Sequence, residues 1–182
     1  RLKKVGWRAQ DTAELFFADC RVPLENRLGE KGTGFKKMMS HLQPERLVIA
    51  VWAVAAAEFM LKETIEYVKN REVFGKALAR YQHTQFEFAE MATEIRLGRN
   101  YVDKLIMEHM AGENIAQDVS MAKYWTTEMA FRVADRCMQL FGGYGYCEDY
   151  PIARAWRDIR VNRILGGTNE IMKIVIAKNL GL

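Results

Sequence analysis

Residues 34–71 read GFKKMMSHLQPERLVIAVWAVAAAEFMLKETIEYVKNR, and beyond Pro44 no further Gly or Pro interrupts them before Arg71. The Ala, Val, Leu, Met, Lys and Glu that fill this run favour helix. It is heavily apolar from Leu47 to Leu61, yet a carboxylate and a guanidinium, Glu45 and Arg46, stand at its opening. A helix of this length spans a small domain and gives three others a spine to pack on. Pro44 removes a donor from its turn, so a kink or a restart is expected there. If the kink is mild, Met38, His41, Glu45, Ile49 and Trp52 share one side at spacings of three and four. Glu45 then looks into a partly apolar space, where desolvation strengthens it as a base and neighbouring Arg46 opposes that. A second reading makes it a first-turn acid favoured by the helix dipole. Helix signals alone leave both open.

Upstream, Leu15 to Val22 alternates apolar residues around the pair Phe16-Phe17 and closes on Pro23, Asn26 and Gly29. This reads as one strand and a turn. A single strand needs partners from other sequence or another chain, so the chain, which begins with Arg, is expected to belong to something longer. Composition shifts from strand-like to helical near Leu28, which divides the chain into residues 1–29 and 30–182.

Downstream, Phe74-Gly75 makes a turn and helix resumes near Gln82, continuing through Leu97, Tyr101, Leu105 and Glu108 until Gly112 stops it. Asn114 can cap the next helix, whose broad apolar face carries Val119, Ala122, Trp125, Met129, Val133 and Leu140. It ends in QLFGGYGY, residues 139–146, where glycines permit close approach of backbone to a ligand. Pro151 opens a fourth helix, Gly166-Gly167-Thr168-Asn169-Glu170 interrupts it, and Ile171 to Leu180 forms the last. Thr168 can cap that helix, whose free first turn can face a phosphate, a carboxylate or a flavin oxygen; an ordinary capped loop is the other reading. Several helices with short connections predict an all-α, up-and-down helical bundle.

Composition narrows the function classes. The chain has 182 residues, enough for one substantial core, and its formal charge of +4 is scattered among acidic residues, giving no footprint for nucleic acid. Three cysteines form no metal or disulfide framework and suit a reducing compartment. The apolar run Val48–Ala57 falls far short of the roughly 20 residues a bilayer requires, so no membrane span is expected. His41, His83 and His109 form no metal motif, and no GxGxxG or Ser-His-Asp arrangement is present.

Four separated motifs coincide: PERLVIA at 44–50, RxxFG at 71–75 followed by Gln82, QLFGGYGY at 139–146 and GGTNEI at 166–171. In this order and spacing the chain resembles the C-terminal helical domain of the acyl-CoA dehydrogenases, with residues 1–29 resembling the end of that family's middle β domain. The resemblance implies an FAD flavoprotein that converts a fatty acyl-CoA to the trans-2-enoyl-CoA, as in β-oxidation, and passes electrons to an electron-transfer flavoprotein. Many members carry the catalytic base where this chain has Gly166. Members resembling the long-chain and isovaleryl dehydrogenases carry it at the position of Glu45, before an Arg, and this chain has that pairing. The resemblance thus makes Glu45 the base and Arg46 an active-site arginine. It places Arg71, Phe74, Gln82, Gln139 and Gly143 against FAD across a dimer interface, and Thr168 and Glu170 on the flavin side. A homodimer, commonly paired into a homotetramer, follows, in a bacterial cytoplasm or a mitochondrial matrix. Phe35, Met38 and Leu42 are candidates for the wall of an acyl tunnel, and similarity around LQPERLVIA leans toward long chains. A non-catalytic assembly module and an acyl-CoA oxidase are the alternatives.

Overall fold

The computed structural model describes residues 1–182 and is built on five helices. They are α1 (Gly34–Asn70), α2 (Gln82–Met110), α3 (Ala116–Phe141), α4 (Pro151–Ile159) and α5 (Asn169–Asn179). A two-residue hairpin, β1 (Glu72–Val73) with β2 (Lys76–Ala77), joins α1 to α2, and Phe74 and Gly75 both take positive φ at its tip. The all-α class expected from the sequence is what the chain forms.

Pro44 does not divide α1, which runs unbroken through it. The missing donor costs one hydrogen bond, while the residues that follow are pinned in the core: Leu47, Ala50, Ala53, Val54, Ala57 and Met60 are all buried. α1 packs on α2, α3 and α4, the three neighbours anticipated for it, and α3 in turn touches all four other helices. Small residues on α1 let these axes approach. The one core glycine on α2, Gly98, sits where three helices meet: a Cβ built there lies 3.1 Å from the Trp125 ring, 3.4 Å from Met129 and 3.4 Å from Val54. Gly98→Val is therefore expected to cost about 1–3 kcal/mol by overpacking, read as a lowered melting temperature with flavin content retained.

The strand expected at Leu15–Val22 is not formed. That segment is irregular, with only a short 3-10 turn at Leu24–Asn26 after it, and Leu15, Phe16, Phe17 and Val22 are exposed. A strand exists by pairing, and no other segment of this chain lies alongside to complete a ladder. Residues 1–29 are nonetheless anchored at Trp7, whose backbone N–H donates to Asp158 Oδ1 at 2.8 Å and whose ring meets Trp52 edge-on at 5.2 Å.

Candidate functional site

Leu42, Glu45 and Ile49 fall at helical spacing on α1, and the turn that precedes α5 lies across from them. Between the two elements runs an open groove of about 490 Å³ lined by His41, Pro44, Glu45, Val48, Ile49, Leu165 and Gly166. Glu45 and Gly166, the two alternative positions for a carboxylate base, thus share one cavity. The Glu45 side chain is exposed, so the apolar enclosure expected around it is not supplied by this chain. Gly166 has φ +65°, and a Cβ there would stand 2.8 Å from Ile49 Cδ1. Ile49 fills the space that a side chain at 166 would need, and the turn closes on the helix without one.

Arg46 points the other way. It is 8% exposed, and its Nε donates to the Gly166 carbonyl at 3.1 Å. Burial pushes its guanidinium below the usual range, with the charge of Glu45 opposing. The active-site arginine of the sequence reading, a candidate for binding substrate, thus lies beneath the turn and does not line the groove.

Beneath the same turn lies a residue that the motifs did not single out. Lys123 of α3 is wholly buried, and its Nζ donates to the Gly167 carbonyl at 2.7 Å and to Asn169 Oδ1 at 2.8 Å. Burial, then the charge of Arg46, lowers its amine to about 8, while Glu170 and Glu128 pull it upward. Asn169 is buried too and donates to Thr127 Oγ1 at 3.0 Å and Glu128 Oε1 at 2.8 Å, the latter also held by Arg163 Nε at 2.8 Å. The sequence signal was weak: Lys123 stands four residues after Val119, but Ser120, Thr126 and Thr127 are its other helical neighbours, so the stripe does not read as apolar.

Thr168 occupies the N-cap position of α5, but its side chain makes no capping bond to the helix. The Glu170 carboxyl, at the first turn, is held below the usual range by its own backbone N–H and by the Thr168 hydroxyl. Neither residue lines the groove; both follow Gly166 in the turn that leads into α5.

A second cavity, about 520 Å³, lies at the far end of α1 and is lined in part by Tyr67, Arg71, Gln139, Gly142, Gly143, Tyr144 and Cys147. It brings together three of the expected cofactor residues, Arg71, Gln139 and Gly143. The Arg71 guanidinium lies 5.7 Å from the Tyr144 ring centroid, and a Cβ on Gly142 or Gly143 would meet nothing within 4 Å. Bare backbone beside a cation, a side-chain amide and aromatic faces suits an anionic group carrying a flat ring, as in a flavin nucleotide. Phe74 and Gln82 do not line this cavity: Phe74 is 98% exposed at the hairpin tip, and Gln82 opens α2 in solvent. Phe35 and Met38, on the first turns of α1, are likewise exposed and outside the Glu45 groove; Leu42 is half-buried.

The model of the family described as "Acyl-CoA dehydrogenase, C-terminal domain" matches residues 32–181. The mitochondrial long-chain specific acyl-CoA dehydrogenase of Sus scrofa is 49% identical over 99% of this chain and 42% of its own length. A short-chain specific acyl-CoA dehydrogenase of Megasphaera elsdenii is 41% identical over 94% of this chain and 45% of its own length. The crystal structure of an acyl-CoA dehydrogenase from Geobacillus kaustophilus superposes with a TM-score of 0.98 at 59% identity, covering 100% of this chain and 48% of that one. The chain therefore spans somewhat less than half the length of the relatives it matches.

Proposed function

Because the chain belongs to the acyl-CoA dehydrogenase family, matching its C-terminal domain, we propose that the full-length protein oxidises a fatty acyl-CoA to the trans-2-enoyl-CoA with Glu45 as the base. The observation that carries this is the shared groove, in which a carboxylate from α1 faces a turn whose own base position is glycine. FAD, when bound, supplies the acceptor for the β hydrogen. What the chain's own residues do is bounded by their geometry. Glu45 takes the α proton from a thioester lying in the groove. Arg46, bonded to the Gly166 carbonyl, keeps that turn in place, and Thr168 and Glu170 present polar atoms beside it.

Arg71, Gln139 and Gly143 hold the nucleotide end of FAD in this reading, with Phe74 and Gln82 completing that contact from their exposed positions. Along α1, Arg71 lies about 39 Å from Glu45 at 1.5 Å per residue, farther than one flavin nucleotide reaches. Each FAD is thus shared between two copies, which supports a homodimer as the minimal unit and a homotetramer as its pairing. Residues 1–29 close the preceding β domain, where the exposed Phe16 and Phe17 find cover. Electron-transfer flavoprotein is the acceptor, and the compartment is a bacterial cytoplasm or a mitochondrial matrix; no helix of the chain is long and apolar enough to cross a membrane. A long acyl chain is favoured, since Phe35, Met38 and Leu42 continue the Glu45 stripe as an apolar track toward the start of α1.

The test is anaerobic mixing of full-length protein with thioesters from butyryl-CoA to palmitoyl-CoA while flavin absorbance is followed. Bleaching that is fastest with the longer chains is the expected result; bound flavin that no thioester bleaches would overturn the assignment. Arg71→Ala is expected to lower flavin occupancy after gel filtration by about tenfold or more, because a charge-assisted contact is lost. Full occupancy in that variant would move the nucleotide elsewhere.

A further inference from the structure

Two buried cations from two different helices end on consecutive carbonyls of one glycine turn, and proton abstraction at Glu45 makes no direct use of the second. Arg46 on α1 donates to Gly166 O at 3.1 Å, and Lys123 on α3 donates to Gly167 O at 2.7 Å. Lys123 has no carboxylate within bonding distance; its other partner is the amide oxygen of Asn169. That amide is in turn fixed by Thr127 and by Glu128, which Arg163 holds. A buried amine whose partners are neutral oxygens is costly to keep charged, so its bonds to the turn are what stabilise it there.

We infer that Lys123 is a positioning residue for the reaction: with Arg46 it clamps the Gly166–Gly167 turn that faces Glu45 across the groove. The inference rests on the reading of Glu45 as the base. Gly166 and Gly167 have φ of +65° and +93°, and two adjacent glycines have wide conformational freedom. Bonding both carbonyls from below removes that freedom and fixes the distance between turn and base. Each carbonyl that accepts a charge-assisted bond also polarises its own peptide plane. The N–H groups across those planes, on Gly167 and Thr168, thereby become stronger donors at the start of α5, where the helix dipole has the same sense. The clamp thus sets both the position and the donor strength of the wall opposite Glu45. Lys123 does not line the groove and reaches the site only through the turn.

Three variants of the full-length holoprotein test this: Lys123→Met, Lys123→Arg and Asn169→Ala. Hydrogen exchange followed by mass spectrometry is expected to show the amides of residues 166–169 exchanging about tenfold faster or more in Lys123→Met, with the core of α1 unchanged. In rapid mixing with palmitoyl-CoA, the limiting rate of flavin reduction is expected to fall by a similar factor while the half-saturating thioester concentration and the flavin content stay at the parent's values. Lys123→Arg, which keeps a cation in place, recovers part of that rate. Should the Lys123 variants fail to fold, Asn169→Ala removes the other anchor and carries the same two expectations. A folded variant whose turn exchanges and whose flavin is reduced as in the parent overturns the clamp. If palmitoyl-CoA reduces no protein in the series, the reading of Glu45 fails, and the exchange measurement still decides whether Lys123 holds the turn.

Discussion

Glu45→Gln is expected to lose about 10³-fold or more of its flavin reduction by acyl-CoA while keeping its flavin. The amide preserves the size of the side chain and its place on α1, so the groove with His41, Ile49 and Gly166 keeps its shape. What disappears is the capacity to accept a proton. No second carboxylate lines the groove to take over, and position 166 has no side chain. Flavin retention is expected because the cavity holding Arg71, Gln139 and Gly143 shares no residue with this one. A stopped-flow trace of the variant beside the parent, each at matched flavin content, decides the matter. Turnover within tenfold of the parent would return Glu45 to the role of a first-turn acid.

Much of the fold was legible because apolar periodicity and breakers agree in this chain. Gly112, Asn114 and Pro151 each mark a helix end that the structure shows, and Asn114 Oδ1 does accept the Ala116 N–H at 3.2 Å, whereas the fourth helix expected to run to Gly166-Gly167 ends already at Ile159 and passes into a 3-10 turn at Arg160–Arg163. Two expectations failed for opposite reasons. At Pro44 a local signal was overruled by tertiary burial a few residues later, where Arg46 and Leu47 enter the core and carry the helix through. At Leu15–Val22 the local signal was strand-like, but pairing is not a local property, and no partner lies in this chain. The site divides the same way. Glu45 and Gly166 were found as two sequence positions, and the structure adds that they share a groove. Lys123 belongs to none of the four motifs, and its bonds to Gly167 and Asn169 join positions more than forty residues apart, so only the fold reveals them. Phe74 and Gln82 stand in solvent, and only under the proposed sharing of FAD between copies would they meet a surface.

Gly166→Ala is expected to damage both stability and rate by adding a single carbon. Two independent costs add at that position. The residue sits at φ +65°, where a side chain costs about 1–2 kcal/mol relative to the right-handed region. The new Cβ would also stand 2.8 Å from Ile49 Cδ1, so either the turn or α1 must shift, an overpacking cost of about 1–3 kcal/mol. Together these predict a loss of about 2–5 kcal/mol, visible as a lower temperature of flavin release. The two costs can be separated, because Ile49→Val deletes the very carbon that the new Cβ would strike. In the Ile49→Val background the alanine should therefore cost only the backbone strain, and the double-mutant cycle should return a favourable coupling near the size of the clash. Activity is expected to fall further than stability requires. A turn displaced by about 1 Å moves the wall opposite Glu45, and an error of that size costs on the order of 10²-fold in rate. Recovery of rate in the double variant, alongside the recovered melting temperature, would tie the position of this turn to the chemistry. A double variant that regains the stability lost to the clash but remains slow would instead mean that the glycine itself, through its backbone conformation, is what the reaction requires.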